Sequence, residues 1–207
     1  MGRSVLGASL DEFLESAIPA SFALTRAPVE ERDEWGRVTW VGWEPHVVSA
    51  LTDLKPAEVA GLIQDVVGVE GPVLAGRVYD LLRRASGAAR LGRVLRVALD
   101  AGVNSGVNRG DLVVTLSRRG NPDSRVLRLR SQPEVLLRTP GDRDASSIPP
   151  AELAELARRA LLITPGAGRD DLKRQVARIL GWGRFTQALD ELLESALPAD
   201  LGVAAHP

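Results

Sequence analysis

The sequence predicts a mainly α-helical fold with a small β component, built as two tandem winged-helix-like units of three helices, the first with a β-hairpin wing. Three observations predict it. Residues from Pro56 and from Pro150 match at a shift of 94 without a gap, as in Pro-Ala-Glu at the start of both copies. Apolar residues recur at helical spacing in each copy. Two short strand-like segments follow only the first copy.

The first copy divides into three helical segments. The first starts at Pro56, which suits a first-turn position, and stops at the Gly71-Pro72 break. The second ends at Ser86-Gly87, and the third covers about residues 90–101 with Gly102 as its C-cap. The apolar stripe of the third helix consists of Leu91, Val94, Leu95, Ala98 and Leu99. The spacing of these residues places them on one face, which we expect to be buried.

The pattern after the first copy changes to that of a β-hairpin. Residues 112–116 and 126–130 are strand-like, and the second of these segments alternates clearly. Turn formers fill residues 117–124 between them. Three helices followed by a hairpin is the outline of a winged helix.

The second copy repeats the helices without the hairpin. Its first helix is predicted by Leu153, Leu156, Ala157, Ala160 and Leu161. Its middle helix matches the first copy better at a shift of 98, so we expect a longer turn after Ile163. We expect no wing, because the sequence given continues only briefly past Leu201. The domain prediction is therefore a small N-terminal α/β segment at 1–55, a winged-helix unit at 56–138, a linker at 139–149 and a second helical unit at 150–203.

The N-terminal segment has its own character. Ser9 begins a short amphipathic helix, and residues 35–43 hold three of the four tryptophans in a pattern that suggests a strand or hairpin. We expect these aromatic residues to pack in a core, with a partner-binding surface as the less favoured alternative.

Composition excludes several functional classes. There is no cysteine, no apolar run long enough to span a bilayer and no pattern typical of a secretion signal, so we expect a cytoplasmic protein without membrane contact. His46 and His206 are far apart, and no nucleophile triad, metal-binding pattern or phosphate-cradling loop occurs. We therefore predict a non-enzymatic protein with no cofactor and no metal.

Positive charge is concentrated in the middle of the chain. The net charge is −1 overall but +4 over residues 56–149. Arg90, Arg93 and Arg96 recur every third residue on the predicted third helix. Further arginines surround the hairpin, and we include four of them in the candidate nucleic-acid-binding set: Arg109, Arg118, Arg119 and Arg125. Guanidinium groups bind phosphates and guanine edges, so this pattern favours contact with DNA or RNA. A solvated helix face beside a charged edge strand is the alternative.

The second copy lacks this charge pattern. Arg93 and Arg96 correspond to Gln187 and Asp190, and an acidic face would repel phosphate. Only Arg90 is kept, as Arg184, within a shared Gly-x-x-Arg pattern. We expect this arginine to bond the last carbonyl groups of the preceding helix, with phosphate contact as the minor alternative.

Several short segments resemble a domain of unknown function found at the C-terminal end of large superfamily 1 DNA helicase-like proteins. They are residues 69–73 with Arg77-Val78, residues 87–94, residues 109–111, residues 148–153 and residues 180–184. The resemblance covers roughly residues 56–197. It implies an accessory module that handles nucleic acid beside a motor, and no catalytic residue is carried over with it.

The sequence thus favours a non-enzymatic accessory module that contacts double-stranded DNA through the first unit's third helix and wing. A protein-interaction or dimerisation scaffold is the alternative, through the tryptophan-rich segment or the acidic third helix of the second copy. A helicase or nuclease partner and a homo-oligomer stay open as partners.

Overall fold

The computed structural model of the protein describes residues 31–115 and 121–201. The chain divides into two compact units, 1–31 and 32–207, and all of the first except Glu31 lies outside the described residues. The described part of the second unit is mainly α-helical with one small β-sheet, as predicted. Among the residues described, no helix combines the length and the apolar character that crossing a membrane requires.

The first repeat contains three helices and three short strands. Their bounds, in chain order, are α1 (Pro56–Glu70), β1 (Val73–Leu74), α2 (Ala75–Ala85), α3 (Arg93–Asn108), β2 (Leu112–Thr115) and β3 (Val126–Leu129). The strands form one antiparallel sheet in the order β1-β3-β2. A 3-10 turn (Pro122–Ser124) precedes β3. The sheet closes one side of a core that includes Ile63, Tyr79, Leu99 and Leu127.

The second repeat contains α4 (Pro150–Ile163), α5 (Arg169–Ile179) and α6 (Gln187–Ala196). All three helices begin 94 residues after their counterparts in the first repeat. The prediction that the middle helix is displaced to a shift of 98 is therefore wrong. The connection after α4 is only slightly longer than the one after α1, and apolar positions four residues apart share a helix face, which made the two shifts look alike.

Helix α3 is longer than predicted, because Gly102 does not end it. Both Gly102, the predicted cap, and Gly106 lie buried inside the helix. A Cβ atom at Gly102 would come within 2.5 Å of Val59 Cγ1 on α1, and one at Gly106 within 2.6 Å of Leu112 Cδ1 on β2. These glycines therefore let α1 and β2 approach the α3 backbone closely, and they set the position of α3 in the fold.

The tryptophan-rich segment forms no strand or hairpin, contrary to the prediction. Its only regular pairing is one parallel bridge between Val38 and Arg138. Trp43 packs in the core of the first repeat, and Trp35 packs against the core of the second. Packing of large rings against two helical units positions this segment without a backbone ladder.

The two repeats meet around Trp40, which is surrounded by three guanidinium groups. The centroid of its ring lies 5.3 Å from Arg77, 5.6 Å from Arg138 and 4.2 Å from Arg143. Such contacts between a cation and an aromatic face are favourable, above all when they are desolvated.

Two buried glutamates neutralise part of this positive charge. Glu70 accepts hydrogen bonds from Arg77, and Glu152 accepts two from Arg143, at 2.9 and 3.0 Å. Arg143 comes from the segment predicted to be a linker. This segment is thus part of a buried polar cluster that joins the two hydrophobic cores.

We predict that Gly102→Ala lowers the free energy of unfolding by about 1–3 kcal/mol, because the added methyl group overpacks the α1–α3 contact. Intrinsic helix propensity alone would predict that Gly102→Ala raises the free energy of unfolding. Gly61→Ala in α1 is the matched control, since a Cβ there meets no atom within 4 Å, and it should be stabilising. Urea denaturation followed by tryptophan fluorescence measures both variants. A stabilised Gly102→Ala protein would refute the close contact.

We predict that Glu152→Gln lowers the free energy of unfolding by about 3 kcal/mol, because it leaves the buried Arg143 guanidinium without a counter-charge. Glu58 occupies the equivalent position in the first repeat, but it is exposed and only accepts a bond from the Lys55 backbone N–H. Glu58→Gln should therefore cost less than about 1 kcal/mol. Denaturation curves that shift equally for both variants would contradict the role of the buried pair.

Candidate nucleic-acid interface

Of the seven arginines predicted to bind nucleic acid, the structure describes five, and these separate into three groups. Arg90 and Arg93 are exposed, and no ion pair or side-chain hydrogen bond joins either guanidinium group to another described residue. Arg90 lies in the loop before α3, and Arg93 is the first residue of that helix. Both guanidinium groups are available to a ligand at the N-terminal end of α3.

Two further candidates, Arg96 and Arg109, form ion pairs at the surface. Arg96 on α3 donates to both carboxylate oxygens of Asp123, in the 3-10 turn before β3. Arg109 donates to Asp111 at 2.9 Å. The Arg109 guanidinium and a hydrogen bond from Gln64 hold the pKa of the Asp111 carboxyl below its usual value. A phosphate would have to compete with these carboxylates for the two arginines.

Arg125 has a structural position between the sheet and the helices. Its side chain is largely buried and donates to Asp100 on α3 at 2.5 Å and to the Tyr79 hydroxyl on α2 at 2.9 Å. Tyr79 in turn donates to Asp100 at 2.6 Å. Burial and the hydrogen bond with Asp100 raise the pKa of Tyr79 far above its usual value. This triad fixes the start of β3 against α2 and α3.

The last two candidates, Arg118 and Arg119, lie outside the described residues, as does the whole of 116–120. The strands β2 and β3 on either side of this segment are paired from Thr115–Val126 to Leu112–Leu129. The hairpin predicted from the sequence is therefore present up to its tip.

The outward face of α3 also carries residues that the sequence prediction missed. Val94, assigned to the buried stripe, is 71% exposed, and Val97 is 61% exposed. We call five exposed residues of this helix the α3 face: Arg93, Val94, Val97, Asn104 and Asn108. Their spacing places them on the side opposite Leu95 and Leu99. Val107 is also exposed, but it lies beside this face. A predicted helix that continued through Gly102 would have shown that these residues are exposed, because the longer helix defines which side faces the core.

The α3 face contains no carboxylate. The only acidic residue of the helix is Asp100, whose carboxylate is held by Tyr79 and Arg125. The formal charges at the N-terminal end of the face are thus those of Arg90 and Arg93. Such a surface attracts a polyanion.

A polar pocket of roughly 340 Å³ is lined by α2, by the 3-10 turn before β3 and by residues 144–147, and its charge differs from that of the α3 face. Its lining includes three carboxylates, those of Asp80, Asp123 and Asp144, and two arginines, Arg77 and Arg84. The excess of negative charge argues against phosphate binding there. Over the described ranges, no group of three or more histidine or acidic side chains could hold a metal ion.

Comparison with known proteins adds no relative. No protein-family model, no curated protein and no solved structure matches the chain. The resemblance to the helicase-associated domain therefore stays a prediction, and the functional inference rests on the geometry of the chain itself.

The Gly-x-x-Arg pattern is explained only in part by the structure. Gly87 and Gly181 end α2 and α5 in the left-handed conformation, with φ of 72° and 69°. The predicted bonds from Arg90 and Arg184 to the preceding helix are absent among the described residues, and both side chains are exposed. In the first repeat Arg83, on α2, donates to the carbonyls of Ala88 and Ala89 in the loop that follows its own helix. The arginine retained in both copies makes no side-chain hydrogen bond or ion pair with a described residue.

A partly buried polar contact between the second and third helices occurs in both repeats, made by different residue types. Lys173 occupies the position of Tyr79, and Glu194 that of Asp100, and the two are joined at 3.2 Å. Lys173 also pairs with Asp170 and Asp190, at 2.8 and 2.7 Å. No strand corresponding to β3 follows α6 up to Leu201. The cations beside Glu194 come from α5 instead: Lys173, and Arg169 at the start of the helix, which donates to Glu194 at 2.8 Å.

We predict that this cluster makes the protein less stable in acid. Hydrogen bonds from Lys173 lower the pKa of Asp170 and of Glu194 from their reference values of 3.8 and 4.5. The stabilisation is complete above those reference values and is lost as the pH falls through the lowered, folded-state values. Lys173→Met should therefore flatten the decline of the unfolding free energy between about pH 5 and about pH 3. Lys55→Met, an exposed lysine, is the control, and parallel curves for Lys173→Met and wild type would contradict this assignment.

Proposed function

We propose that the protein is a non-enzymatic accessory module that binds double-stranded DNA, with the first repeat acting as a winged helix. Helix α3 enters the major groove, and the β2–β3 hairpin is the wing beside it. The α3 face is the observation that carries the proposal. It is an exposed helix surface without a carboxylate, and at its N-terminal end Arg90 and Arg93 have no ion-pair partner among the described residues.

The chain topology supports the winged-helix assignment. The order α1-β1-α2-α3-β2-β3, with β3 between β1 and β2, is a three-helix unit completed by a hairpin. In such units the third helix is the one that enters the groove. Here α3 is also the helix whose outer face has no carboxylate, so topology and surface chemistry point to the same element.

The shape of the α3 face favours duplex DNA over duplex RNA. Its side chains are short beyond Arg93, so they contact bases only if the helix itself enters the groove. The B-form major groove, about 12 Å wide, admits a helix. The A-form major groove of RNA is too narrow for this.

The resemblance noted in the sequence extends the proposal to a partner. A domain associated with superfamily 1 helicase-like proteins would place this module beside a DNA motor or nuclease, in the cytoplasm. In that setting the module contributes DNA affinity, and the partner contributes the chemistry.

A protein-interaction scaffold is the second candidate, and one observation favours it. Leu162 and Ile163 at the end of α4 are 80% and 66% exposed. Neighbouring exposed apolar side chains are typical of protein contacts. This surface belongs to the second repeat, so it is compatible with DNA binding by the first.

We predict salt-sensitive binding to a duplex of about 20 base pairs, with affinity falling steeply between about 50 and about 200 mM salt. Arg90→Gln with Arg93→Gln should weaken binding about tenfold or more. The slope of log K against log salt should fall by about 2. Fluorescence anisotropy measures both quantities, with an RNA duplex as comparison.

Arg174→Gln with Arg178→Gln is the matched control, because it removes the same charge from two exposed positions on α5. Equal losses from the two double variants would assign the binding to net charge instead of the α3 face. A wild-type protein without DNA affinity would overturn the proposed function.

A further inference from the structure

Two valines on the N-terminal half of α3 are exposed without a structural reason. Val94 and Val97 lie three residues apart, so their side chains are neighbours on the helix surface. Neither belongs to the hydrophobic core or packs against it. β-Branched residues are also weaker helix formers than alanine, lysine or glutamate, which commonly occupy exposed helix positions. Their presence side by side therefore marks a contact surface.

The surroundings of the two valines indicate what covers them. Arg93 is next to Val94 in sequence, Arg90 precedes the helix, and neither has an ion-pair partner among the described residues. An apolar pair bordered by two free guanidinium groups and no free carboxylate is complementary to a ligand that presents apolar groups within a polyanion. The major groove of DNA is such a ligand, because each thymine displays a 5-methyl group there between two phosphate backbones.

The second repeat offers an internal comparison. The positions equivalent to Val94 and Val97 are held by Ala188 and Glu191, and the position of Arg93 by Gln187. The apolar pair and the arginine are thus absent together from the copy whose third helix is acidic. This joint absence fits a common ligand for the two valines and Arg93 of the first repeat.

We propose, on the basis of the proposed DNA-binding function, that Val94 and Val97 contact thymine methyl groups in the major groove and give the protein a preference for sites rich in A·T pairs. Arg90 and Arg93 bind the flanking phosphates and supply affinity without sequence preference. The valines supply discrimination between bases.

Removal of the methyl group alone tests this. One duplex consists of alternating A·T pairs and the other of alternating A·U pairs, each about 20 base pairs long. The two duplexes differ only in the 5-methyl group of the pyrimidine. Burial of one methyl group corresponds to about fourfold in affinity. We expect the thymine duplex to bind about fourfold to tenfold more tightly than the uracil duplex, with the same salt slope. A G·C duplex should gain affinity when its cytosines carry a 5-methyl group, which occupies the same place in the groove.

The variant Val94→Ala with Val97→Ala should bind the thymine and uracil duplexes equally and keep the wild-type salt slope. Alanine favours the helix, so the fold is preserved. Val107→Ala is the matched control, an exposed valine near the other end of α3 that should leave the discrimination unchanged.

Equal wild-type affinity for the thymine and uracil duplexes, with salt-sensitive binding intact, would overturn this inference and leave the proposed function standing. Discrimination that persists in the double valine variant would also overturn it. Absence of salt-sensitive binding to every duplex would overturn the proposed function together with it.

Discussion

The close contact between helices α1 and α3 is the constraint on which the first repeat depends. Gly102 brings the α3 backbone against Val59 and Ile63, and Gly106 brings it against Leu112. Larger residues at either position would push α3 outward and open the core that the sheet closes. Because this contact fixes which side of α3 is buried, it also fixes which side faces solvent, and hence the composition of the surface available to a ligand.

Periodicity in the sequence was sufficient to find the helices, the two hairpin strands and the duplication, since each depends on local pattern. It was insufficient where a residue has both a local and a tertiary role. Gly102 is a plausible helix end on local grounds, and only the packing of α1 shows that it is a contact. The pairing of Arg96 with Asp123 and of Arg125 with Asp100 joins residues more than twenty positions apart. Composition shows that such arginines are charged, but it does not show that distant carboxylates neutralise them.

The two repeats share the same helix register, but different side chains make the polar contact between their second and third helices. Helix starts stay in register, and a partly buried polar contact joins the second and third helices in both. In the first repeat this contact is made by Tyr79 together with Arg125, which immediately precedes β3. In the second repeat it is made by Lys173. The first repeat retains an outer helix face free of negative charge, whereas the second carries acidic residues there. The duplicated units have therefore diverged at the surface and at one polar core position, while the apolar core pattern persists.

The segment around Trp40 has a consequence for how the chain folds. It gives Trp43 to one core and Trp35 to the other, and Arg37 donates to the carbonyl of Ile179 at the end of α5. The core of each repeat thus includes or contacts a side chain from the tryptophan-rich segment, which belongs to neither repeat. Halves linked in this way lose their independence, so the described unit should melt as one cooperative body, and neither copy should behave as a free-standing domain when it is excised.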